Sequence, residues 1–417
     1  MKREVEIGIL KELMRQLDEK KNIDAGVMYR NPTEVYTSRE IAERERETFF
    51  RNHPQLIALS GSLPRPGSYM TVDDFGVPVL ATRDQSGRFR AFVNACRHRG
   101  ARIAEGQGES KTFICPFHNW VYTNEGKLAA IPLERQVGAI DKDCMGLVEL
   151  PALEQGGLLW VHPQADGKID LEEQLSGLGP EIESWGFGEL VPMGETIIEK
   201  RLNWKLANDT FGETYHFSRL HKNTLGQIFY GDALGYEEFG RNHRFVIATR
   251  QIDALRSQPE KAWKLLDATS PLYYLFPNIQ LSFGNSQVSL IKMYPDPAYP
   301  DDPSRSLTRI TYYFSQELID LDRSSSDDVV RITSENAYDR EIGSDDQVPM
   351  ITLSGLTEVF DSTIEQEDYL MGEHQQRSAE SGQLDHIVFG RNEPALHHYH
   401  THFRDALGLS PLEEIES

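Results

Sequence analysis

The chain opens with apolar residues at helical spacing. Leu10, Leu13, Met14 and Leu17 recur every three or four positions, which places them on one face of a helix. Most of the other positions in this segment are polar or charged. Residues 1–50 are therefore predicted to form a helical segment that packs on a larger domain.

Short runs of strand-forming residues between turn signals follow, from about residue 51 to residue 163. Residues 76–82 and 88–93 have the composition of strands, and Asp84-Gln85-Ser86-Gly87 between them is a turn signal. Further turn and strand signals occur at residues 124–126 and 157–161. Short strands without a long helical pattern predict a small all-β domain.

Residues 164–417 mix strand and helix patterns, which predicts an α+β domain. Strands are expected at residues 196–200, 281–294 and 307–314, and a helix is expected at residues 203–215. Ser362 and Glu365 have the spacing of a capping box and predict a helix that runs to about residue 382. Ser326-Asp327-Asp328 is a further candidate helix cap.

Composition and charge exclude several classes of function. The 417 residues carry a formal net charge of −22, which argues against nonspecific binding to nucleic acid and for a soluble chain. No stretch reaches the roughly 18 apolar residues of a membrane span. The 3 cysteines provide no disulfide framework, so we expect a cytoplasmic protein, with Cys144 as a buried, inert thiol.

Two cysteines and two histidines form the first candidate metal site. Cys96 and His98 lie in one short segment, and Cys115 and His118 lie in another. Two thiolates and two imidazoles suit a two-iron, two-sulfur centre in which the thiolates hold one iron and the imidazoles hold the other. Structural zinc is the alternative, although zinc sites are usually built on other spacings of Cys and His.

A second candidate metal site lies about a hundred residues further along the chain. His216 and His221 are five residues apart, a spacing that rotates the second side chain by about 140° on a regular helix. The two can share a metal only if the helix ends between them, and Ser218-Arg219 is the candidate break. Two imidazoles and one carboxylate form the facial triad of non-haem iron(II) oxygenases.

The third ligand of this site must be a carboxylate from a distant part of the chain. Asp368 is the candidate, because a helix would place Ile364 and Met371 on its face. A carboxylate on an apolar face is unfavourable unless it is paired or bound to metal. Glu365 and Glu367 are rival ligands, and an exposed carboxylate that binds no metal is the simpler alternative.

These motifs resemble those of the Rieske non-haem iron oxygenases, specifically the catalytic, alpha-type subunit of the aromatic-ring-hydroxylating family. The resemblance is carried by Cys96-Arg97-His98-Arg99-Gly100, by Cys115-Pro116-Phe117-His118-Asn119-Trp120, and by the segment from Asn203 to His221. Asn119 stands where the family usually has glycine. Asn is the non-glycine residue best able to adopt the positive φ that such a turn requires.

The resemblance implies two cofactors and assigns their ligands. One Rieske [2Fe-2S] cluster and one mononuclear Fe(2+) would be bound, the first by Cys96, His98, Cys115 and His118 and the second by His216, His221 and Asp368. Glu213, where the family usually has Asp, would connect His216 to a Rieske histidine of a neighbouring subunit. A glutamate at this position is also similar to some quaternary-amine oxygenases.

The same resemblance implies the fold and its domains. A small all-β Rieske domain, residues 51–163, would be inserted in a larger catalytic domain of the helix-grip type, which combines an antiparallel sheet with helices. The catalytic domain would comprise residues 164–417, and the helical residues 1–50 would pack on it. The predicted class is therefore α+β.

The implied function is that of the oxygenase component of a multicomponent system, which uses dioxygen and electrons from NAD(P)H to hydroxylate an aromatic or related hydrophobic compound. Demethylation of an amine, a quaternary ammonium compound or an ether is the alternative, and a non-catalytic Rieske electron carrier is less favoured. A ferredoxin or a flavin reductase would donate electrons. The chain would form a homotrimer, with or without a small beta subunit.

Three further groups of residues carry weaker expectations. Arg97, Arg99 and Arg102 are either solvated side chains or a landing site for an acidic electron donor. The four histidines between residues 397 and 402 predict a polar helix that packs near the domain junction rather than a metal site. The aromatic candidates for a substrate pocket are Phe211, Phe229, Tyr230, Tyr274 and Phe283.

Overall fold

The computed structural model describes residues 1–284, 287–324, 329–332 and 348–416. The candidate helix cap Ser326-Asp327-Asp328 lies outside these residues. The chain divides into a larger unit, Met1–Glu43 with Leu175–Glu181 and Val191–Ser417, and a smaller unit, Arg44–Gln174 with Ile182–Leu190. The smaller unit is thus inserted in the larger one along the chain, whereas the domain limits 51–163 and 164–417 stay predictions.

The α-helices of the described residues vary widely in length. They are α1 (Arg3–Glu19), α2 (Arg39–Glu45), α3 (Glu134–Val137), α4 (Leu171–Leu175), α5 (Gly179–Glu183), α6 (Trp204–Asp209), α7 (Ile252–Leu255), α8 (Gln316–Ser324), α9 (Leu353–Thr363), α10 (Tyr369–Glu380) and α11 (Pro394–Ala406). A turn of π-helix, Ile364–Asp368, joins α9 to α10, and another, Arg46–Arg51, follows α2. None of the described helices is long and apolar enough to cross a membrane.

The strands fall into two series. The first series is β1 (Met28–Pro32), β2 (Gln55–Leu59), β3 (Ser68–Val72), β4 (Val79–Arg83), β5 (Phe89–Val93), β6 (Gln107–Glu109), β7 (Thr112–Ile114), β8 (Val121–Thr123), β9 (Leu128–Ala130), β10 (Glu149–Leu150), β11 (Ala152–Gln155) and β12 (Leu158–Val161). The second series is β13 (Val191–Lys200), β14 (Phe229–Phe239), β15 (Asn242–Thr249), β16 (Thr269–Leu275), β17 (Ile279–Gly284), β18 (Gln287–Pro295), β19 (Ser306–Phe314), β20 (Val329–Ile332), β21 (Val348–Ile351), β22 (His386–Phe389) and β23 (Glu413–Ile415).

The smaller unit is built mainly from three small antiparallel sheets. Their strand orders are β10-β5-β4-β3-β6, β11-β12-β2 and β7-β8-β9. One core cluster of this unit packs the two candidate metal-binding cysteines among large side chains, namely Cys96 and Cys115 with Leu80, Phe92, Phe113, Trp120 and Tyr122. The β-rich character predicted for this part of the chain is confirmed.

A seven-stranded antiparallel sheet dominates the larger unit, in the order β13-β19-β18-β17-β16-β15-β14. Residues opposite each other in register share a face of the sheet, and successive residues of a strand alternate between faces. Phe245, Leu272 and Ser282 are consecutive register partners and therefore lie on one face. Tyr273 and Phe283, one position further along their strands, lie on the other face, where their rings stack.

A long helical segment formed by α9, the π turn and α10 is hydrogen-bonded to β13 and β19 of this sheet. The Asp361 carboxylate accepts hydrogen bonds from the Thr196 hydroxyl at 2.6 Å and from the Tyr312 hydroxyl. The hydroxyls of Thr308 and Tyr369 lie 2.7 Å apart. An antiparallel sheet with helices bonded to it confirms the predicted α+β class.

Helix α1 closes the β14 edge of the main sheet through one polar side chain. The Gln16 side chain is 3% exposed, donates to the Leu234 carbonyl at 3.0 Å, and accepts from the Leu234 N–H at 2.8 Å. The amide thus satisfies a backbone donor and a backbone acceptor of an edge strand. Leu10 and Leu13, on the predicted apolar face, are fully buried.

Replacing Gln16 by Leu should therefore destabilise the protein although it increases apolar content. The Leu234 N–H and carbonyl would be left buried without partners, at about 1–3 kcal/mol for each group. A urea unfolding curve measures the change in midpoint. Glu4→Leu, on an exposed position of the same helix, should change the midpoint little, and equal midpoints for the two variants would contradict this role of Gln16.

Several predicted elements differ from the structure in extent. Residues 281–294 do not form a single strand, because the chain reverses between β17 and β18. The helix predicted over residues 203–215 ends at Asp209. The helix predicted from Ser362 begins at Leu353 instead, because the Thr352 hydroxyl caps it by accepting the Gly355 N–H at 2.9 Å.

The prediction of a buried thiol at Cys144 is wrong. Cys144 ends a short 3₁₀ turn, Lys142–Cys144, and is exposed. Its thiol donates to the Asp141 carboxylate at 3.2 Å, and this hydrogen bond, together with the negative charge of Asp141, raises the pKa of Cys144. A raised pKa keeps the thiol protonated and unreactive at neutral pH.

Candidate metal centres and adjoining cavity

Two tight loops carry the residues of the first candidate centre. In the loop after β5, the Gly100 N–H donates to the Cys96 carbonyl at 2.8 Å. In the loop after β7, the Asn119 N–H donates to the Cys115 carbonyl at 2.9 Å. Asn119 has a φ of 58°, which is the positive value predicted for this position.

The four side chains of this centre divide into buried sulfur atoms and exposed imidazoles. Cys96 is 4% exposed and Cys115 is 1% exposed, whereas His98 and His118 are exposed at the surface. The Nδ1 atoms of the two histidines lie 3.1 Å apart. The His98 ring stacks on Trp120 with an interplanar angle of 5°, which orients it.

A hydrogen bond reaches one of the sulfur atoms. The Tyr122 hydroxyl lies 3.3 Å from the Cys96 sulfur and accepts the Arg97 N–H at 3.0 Å. Hydrogen bonds to the sulfur ligands are among the features that set the reduction potential of an iron–sulfur cluster. Two unpaired cysteines and two imidazoles with facing Nδ1 atoms fit a [2Fe-2S] cluster with mixed ligands.

The histidines of the second centre converge because the helix between them is short. A 3₁₀ turn covers Tyr215–Ser218 and ends just before Arg219, at the predicted break. The chain then turns, with the Gly226 N–H donating to the His221 carbonyl at 2.9 Å. As a result, the Nε2 atoms of His216 and His221 lie 3.1 Å apart.

Asp368 completes a triangle of donor atoms with these two nitrogens. Its Oδ1 atom lies 3.4 Å from Nε2 of His216 and 3.1 Å from Nε2 of His221. Two ligands at about 2.1 Å from a six-coordinate divalent cation and about 90° apart would be ~3.0 Å from each other. The donor set and the spacing therefore fit one mononuclear iron with open positions.

The π turn Ile364–Asp368 separates the three candidate carboxylates. Asp368 is 8% exposed and faces the two Nε2 atoms, whereas Glu365 forms an ion pair with Lys200 at 2.9 Å. Glu367 lies on the other side of His221, 2.7 Å from Nδ1. Neither glutamate therefore occupies the place of a third ligand in this arrangement.

Each imidazole of the triangle is held by a carboxylate at its second nitrogen. Glu213 contacts Nδ1 of His216, and Glu367 contacts Nδ1 of His221 while it accepts from the Thr224 hydroxyl at 2.9 Å. A carboxylate on the outer nitrogen of a metal-binding histidine fixes the ring orientation and the tautomer. The orienting position of Glu367 and Thr224 was not predicted, because Thr224 is 143 residues away in sequence.

The charges at this centre favour a bound cation. Burial opposes protonation of His216, but the Asp368 and Glu213 carboxylates outweigh it and raise the pKa of His216 to about 9. Burial would raise the pKa of Asp368, but its hydrogen bonds to His216 and His221 outweigh burial and lower it. The carboxylates therefore stabilise positive charge at this point, whether a proton or a metal ion carries it.

A cavity of about 340 Å³ adjoins this centre. It lies over the sheet face that carries Phe245 and Leu272, and the helical segment contributes Phe360 and Ile364. Side chains of His216, His221, Asp368 and Glu213 form part of its wall. Its volume and mainly apolar lining are typical of a site for a small organic molecule.

Only two of the five predicted pocket aromatics line this cavity. Phe211 and Phe229 do so. Phe283 points to the opposite face of the sheet, and Tyr274 packs against Tyr399. Tyr230 lies at a separate surface cavity. The alternation of side chains along each strand explains the error for Phe283, since Ser282 and not Phe283 faces the cavity.

A second opening reaches the centre from another side. A groove of about 720 Å³ is lined by Glu213, His216 and Asp368, and also by Asp209. The Asp209 carboxylate accepts from the Tyr36 hydroxyl at 2.8 Å and lies 2.8 Å from Nε2 of His400. This buried network was not predicted, because its members are far apart in sequence.

The histidine-rich segment forms α11, as predicted, and most of its histidines pack in the interior. His397, His398 and His400 are 7%, 6% and 1% exposed. The rings of His398 and His243 contact each other through Nδ1 atoms 3.2 Å apart. Among the described residues, His216, His221 and Asp368 are the only three whose ligand atoms lie close enough together to share a single metal ion, and none of them belongs to α11.

Comparison with models of known protein families assigns the chain to a family. Residues 187–409 match the model of the ring hydroxylating alpha subunit (catalytic domain), and residues 53–144 match that of the Rieske [2Fe-2S] domain. The first match covers more than half of the chain, which therefore belongs to the ring hydroxylating alpha subunit family. The two families imply a Rieske cluster and a mononuclear iron, which replaces the zinc alternative for the first centre.

Relatives include dioxygenase and monooxygenase components. The large oxygenase component of the naphthalene 1,2-dioxygenase system of Pseudomonas aeruginosa is 30% identical over 217 residues, which are 48% of this chain and 47% of that protein. The carnitine monooxygenase oxygenase subunit of Acinetobacter baumannii is 27% identical over 297 residues, or 70% of this chain and 77% of that protein. The chain thus spans about half the length of the first relative.

A solved structure has the same fold. It is that of a quaternary ammonium Rieske monooxygenase in complex with an inhibitor, with a TM-score of 0.72 and 19% identity. The alignment covers 92% of this chain and 96% of that chain. The likeness extends over both units of the present fold.

Changing Glu367 to Gln should weaken retention of the mononuclear iron. The amide has no negative charge to stabilise the His221 ring in its metal-binding orientation, and loss of such a partner lowers metal affinity about 10–100-fold. Iron per chain after dialysis against a chelator measures the effect, while visible absorption reports the cluster. Glu365→Gln is the matched control, and equal iron loss in both variants would contradict an orienting role of Glu367.

Proposed function

We propose that the chain is the oxygenase component of a multicomponent Rieske non-haem iron oxygenase, which uses dioxygen and electrons derived from NAD(P)H. The observation that carries the proposal is the convergence of His216, His221 and Asp368 at the wall of an apolar cavity. A non-catalytic electron carrier has no use for such a centre. The long chain that follows residues 53–144, which match the Rieske domain, also argues against an electron carrier.

The ligands follow from the donor atoms. We assign the cluster to Cys96, Cys115, His98 and His118, with the histidines bound through Nδ1. We assign the mononuclear iron to Nε2 of His216 and His221 and to the Asp368 carboxylate. When bound, the cluster supplies single electrons and the mononuclear iron supplies the activation of dioxygen.

The surrounding residues prepare the second centre for its metal. Glu213 and Glu367 hold the protons on the Nδ1 atoms, which leaves the Nε2 atoms of both histidines available as ligands. The aromatic and aliphatic walls of the cavity exclude water and hold the apolar body of a substrate beside the ligands. A dry site protects reactive oxygen chemistry from side reactions.

We infer that the substrate is an aromatic or related hydrophobic compound. Among the described residues that line the cavity, none is Lys or Arg, and the two carboxylates, of Glu213 and Asp368, are engaged with the histidines. Phenylalanine and aliphatic side chains form most of the wall. Such a wall favours an uncharged, planar molecule over an ion.

Demethylation of an amine, a quaternary ammonium compound or an ether is the second candidate function. The carnitine monooxygenase relative matches this chain over a longer stretch than the naphthalene dioxygenase relative does. Glu213 also stands at the position where ring-hydroxylating enzymes usually have an aspartate, and a glutamate there resembles some quaternary-amine oxygenases. Identification of the product separates the two candidates, because a diol, a phenol and a demethylated amine differ in mass and retention.

The partners are proposed from the same family membership. A ferredoxin or a flavin reductase would donate electrons near the exposed His98 and His118, where Arg99 lies 4.9 Å from the Phe117 ring centre. We expect a homotrimer in the cytoplasm, with or without a small beta subunit, in which Glu213 links His216 to a Rieske histidine of the neighbouring copy. Glu213 lines the open groove beside the second centre, which supports this role.

The direct test is oxygen consumption with a surrogate reductase and NADH. Aromatic hydrocarbons, aromatic acids and methylated amines would be screened, with product identified for each compound that stimulates uptake. Stoichiometric product from at least one class is expected. Purified holoprotein that binds two irons per chain rather than three, and that yields no product, would support the electron-carrier alternative.

Replacing His216 by Ala should remove only the mononuclear iron. The variant should retain the two cluster irons and the paramagnetic signal of the reduced cluster, because His216 is assigned to the mononuclear iron and not to the cluster. Product formation should fall below detection. His374→Ala, in the same groove but outside the donor triangle, is the control, and loss of the cluster signal with His216→Ala would refute separate sites.

Replacing Glu213 by Gln should slow turnover about 10–100-fold, the range for loss of such a partner, in protein that is loaded with excess iron so that both metal centres are occupied. Reduction of the cluster by the donor should remain normal, while its reoxidation with substrate and dioxygen should slow. Glu393→Gln, an acidic side chain of the same groove, is the control. Normal coupled turnover with Glu213→Gln would count against the bridging role.

A further inference from the structure

A pair of serines stands out on the sheet wall of the cavity. Ser282 on β17 and Ser289 on β18 are direct partners in the antiparallel register, so their side chains lie next to each other on the same face. Both line the cavity, as does Gln287 at the start of β18. Their neighbours on this face include Leu272, the register partner of Ser282, and Phe245.

These hydroxyls have no partner in the part of the chain that the structure describes. Ser289 is only 7% exposed, yet neither its hydroxyl nor that of Ser282 forms a hydrogen bond with a described residue. The other hydroxyls of this wall differ, since Ser270 donates to the Phe283 carbonyl at 3.3 Å and Tyr312 donates to Asp361. Ser282 is half-buried and both serines line the cavity, so a molecule bound there can supply the missing partner.

The charge of the cavity limits what that partner can be. A carboxylate beside the serines would meet no Lys or Arg among the described lining residues. A permanent cation can neither donate a hydrogen bond to the two hydroxyls nor accept one from them. An uncharged carbonyl, amide or hydroxyl group satisfies both serines, because a serine hydroxyl can donate and accept.

We propose that Ser282 and Ser289 form a hydrogen-bonding subsite for an uncharged polar substituent, so that the substrate is an aromatic compound that bears a carbonyl, amide or hydroxyl group. The inference rests on the proposed oxygenase function and narrows its substrate class. The pair anchors the substituent at the sheet wall, and the apolar ring occupies the remaining cavity towards His216 and Asp368. Anchoring one end of the molecule determines which ring position is presented to the metal centre.

Four compounds of similar shape test the subsite by calorimetric binding to the holoprotein without reductant. Cumene has no hydrogen-bonding group, benzamide has a neutral one, benzoate is an anion, and phenyltrimethylammonium is a cation. The double variant S282A/S289A should bind benzamide about tenfold more weakly than the wild type does, since each lost hydrogen bond is worth roughly 0.5–1.5 kcal/mol. Its affinity for cumene should be unchanged or higher.

Ser306→Ala is the matched control, because Ser306 is a buried serine of the same sheet, 1% exposed, that lies outside the cavity lining. An equal effect of S282A/S289A and of Ser306→Ala on benzamide would overturn the subsite. So would tightest wild-type binding of benzoate or the cation, or no binding of any of the four compounds.

Turnover is scored separately in the same holoprotein with a surrogate reductase. Absence of product from every bound compound, with the serine effect on benzamide intact, would overturn the oxygenase function but not the subsite. If product forms but the S282A/S289A substitutions do not change benzamide binding, the proposed oxygenase function stands and the proposed subsite is refuted.

Discussion

The structure depends on holding two imidazole nitrogens and one carboxylate oxygen at a single point. The donor atoms of His216, His221 and Asp368 are 3.1–3.4 Å apart, a spacing that suits three ligands of one cation. Glu213 and Glu367 orient the two rings by contacting their Nδ1 atoms, which face away from the triangle of donor atoms. Each contributes negative charge to a buried site, so the arrangement favours a bound metal ion over an empty pocket.

The rest of the larger unit keeps these groups in place. The 3₁₀ turn Tyr215–Ser218 ends between the histidines, and the π turn Ile364–Asp368 directs three neighbouring acids to three different partners. π turns within α-helices are often found at functional sites. Hydrogen bonds that involve Thr196, Tyr312 and Thr308 join this helical segment to the sheet, so Asp368 and the sheet wall of the cavity have a defined separation.

The cavity and the metal centre have different origins in the fold. The antiparallel register determines which side chains face the cavity, and a shift of one residue would exchange Ser282 for Phe283. The metal centre instead depends on two irregular turns, where regular helix geometry is interrupted. A change of substrate can therefore arise on the strands without disturbing the ligands, which is how one fold accommodates different reactions.

The sequence by itself determined the features that rest on local spacing and residue chemistry. The two cluster motifs, the positive φ at Asn119, the break after Ser218 and the apolar face of α1 all depend on a few neighbouring residues. Asp368 was singled out because a carboxylate on an apolar face needs a partner, but its distinction from Glu365 and Glu367 required the directions of three side chains. Only the tertiary structure decided those directions, the pocket face of each strand and the burial of the histidines in α11. Such features depend on pairing between segments that are far apart in sequence, and local patterns carry no record of the register that joins them.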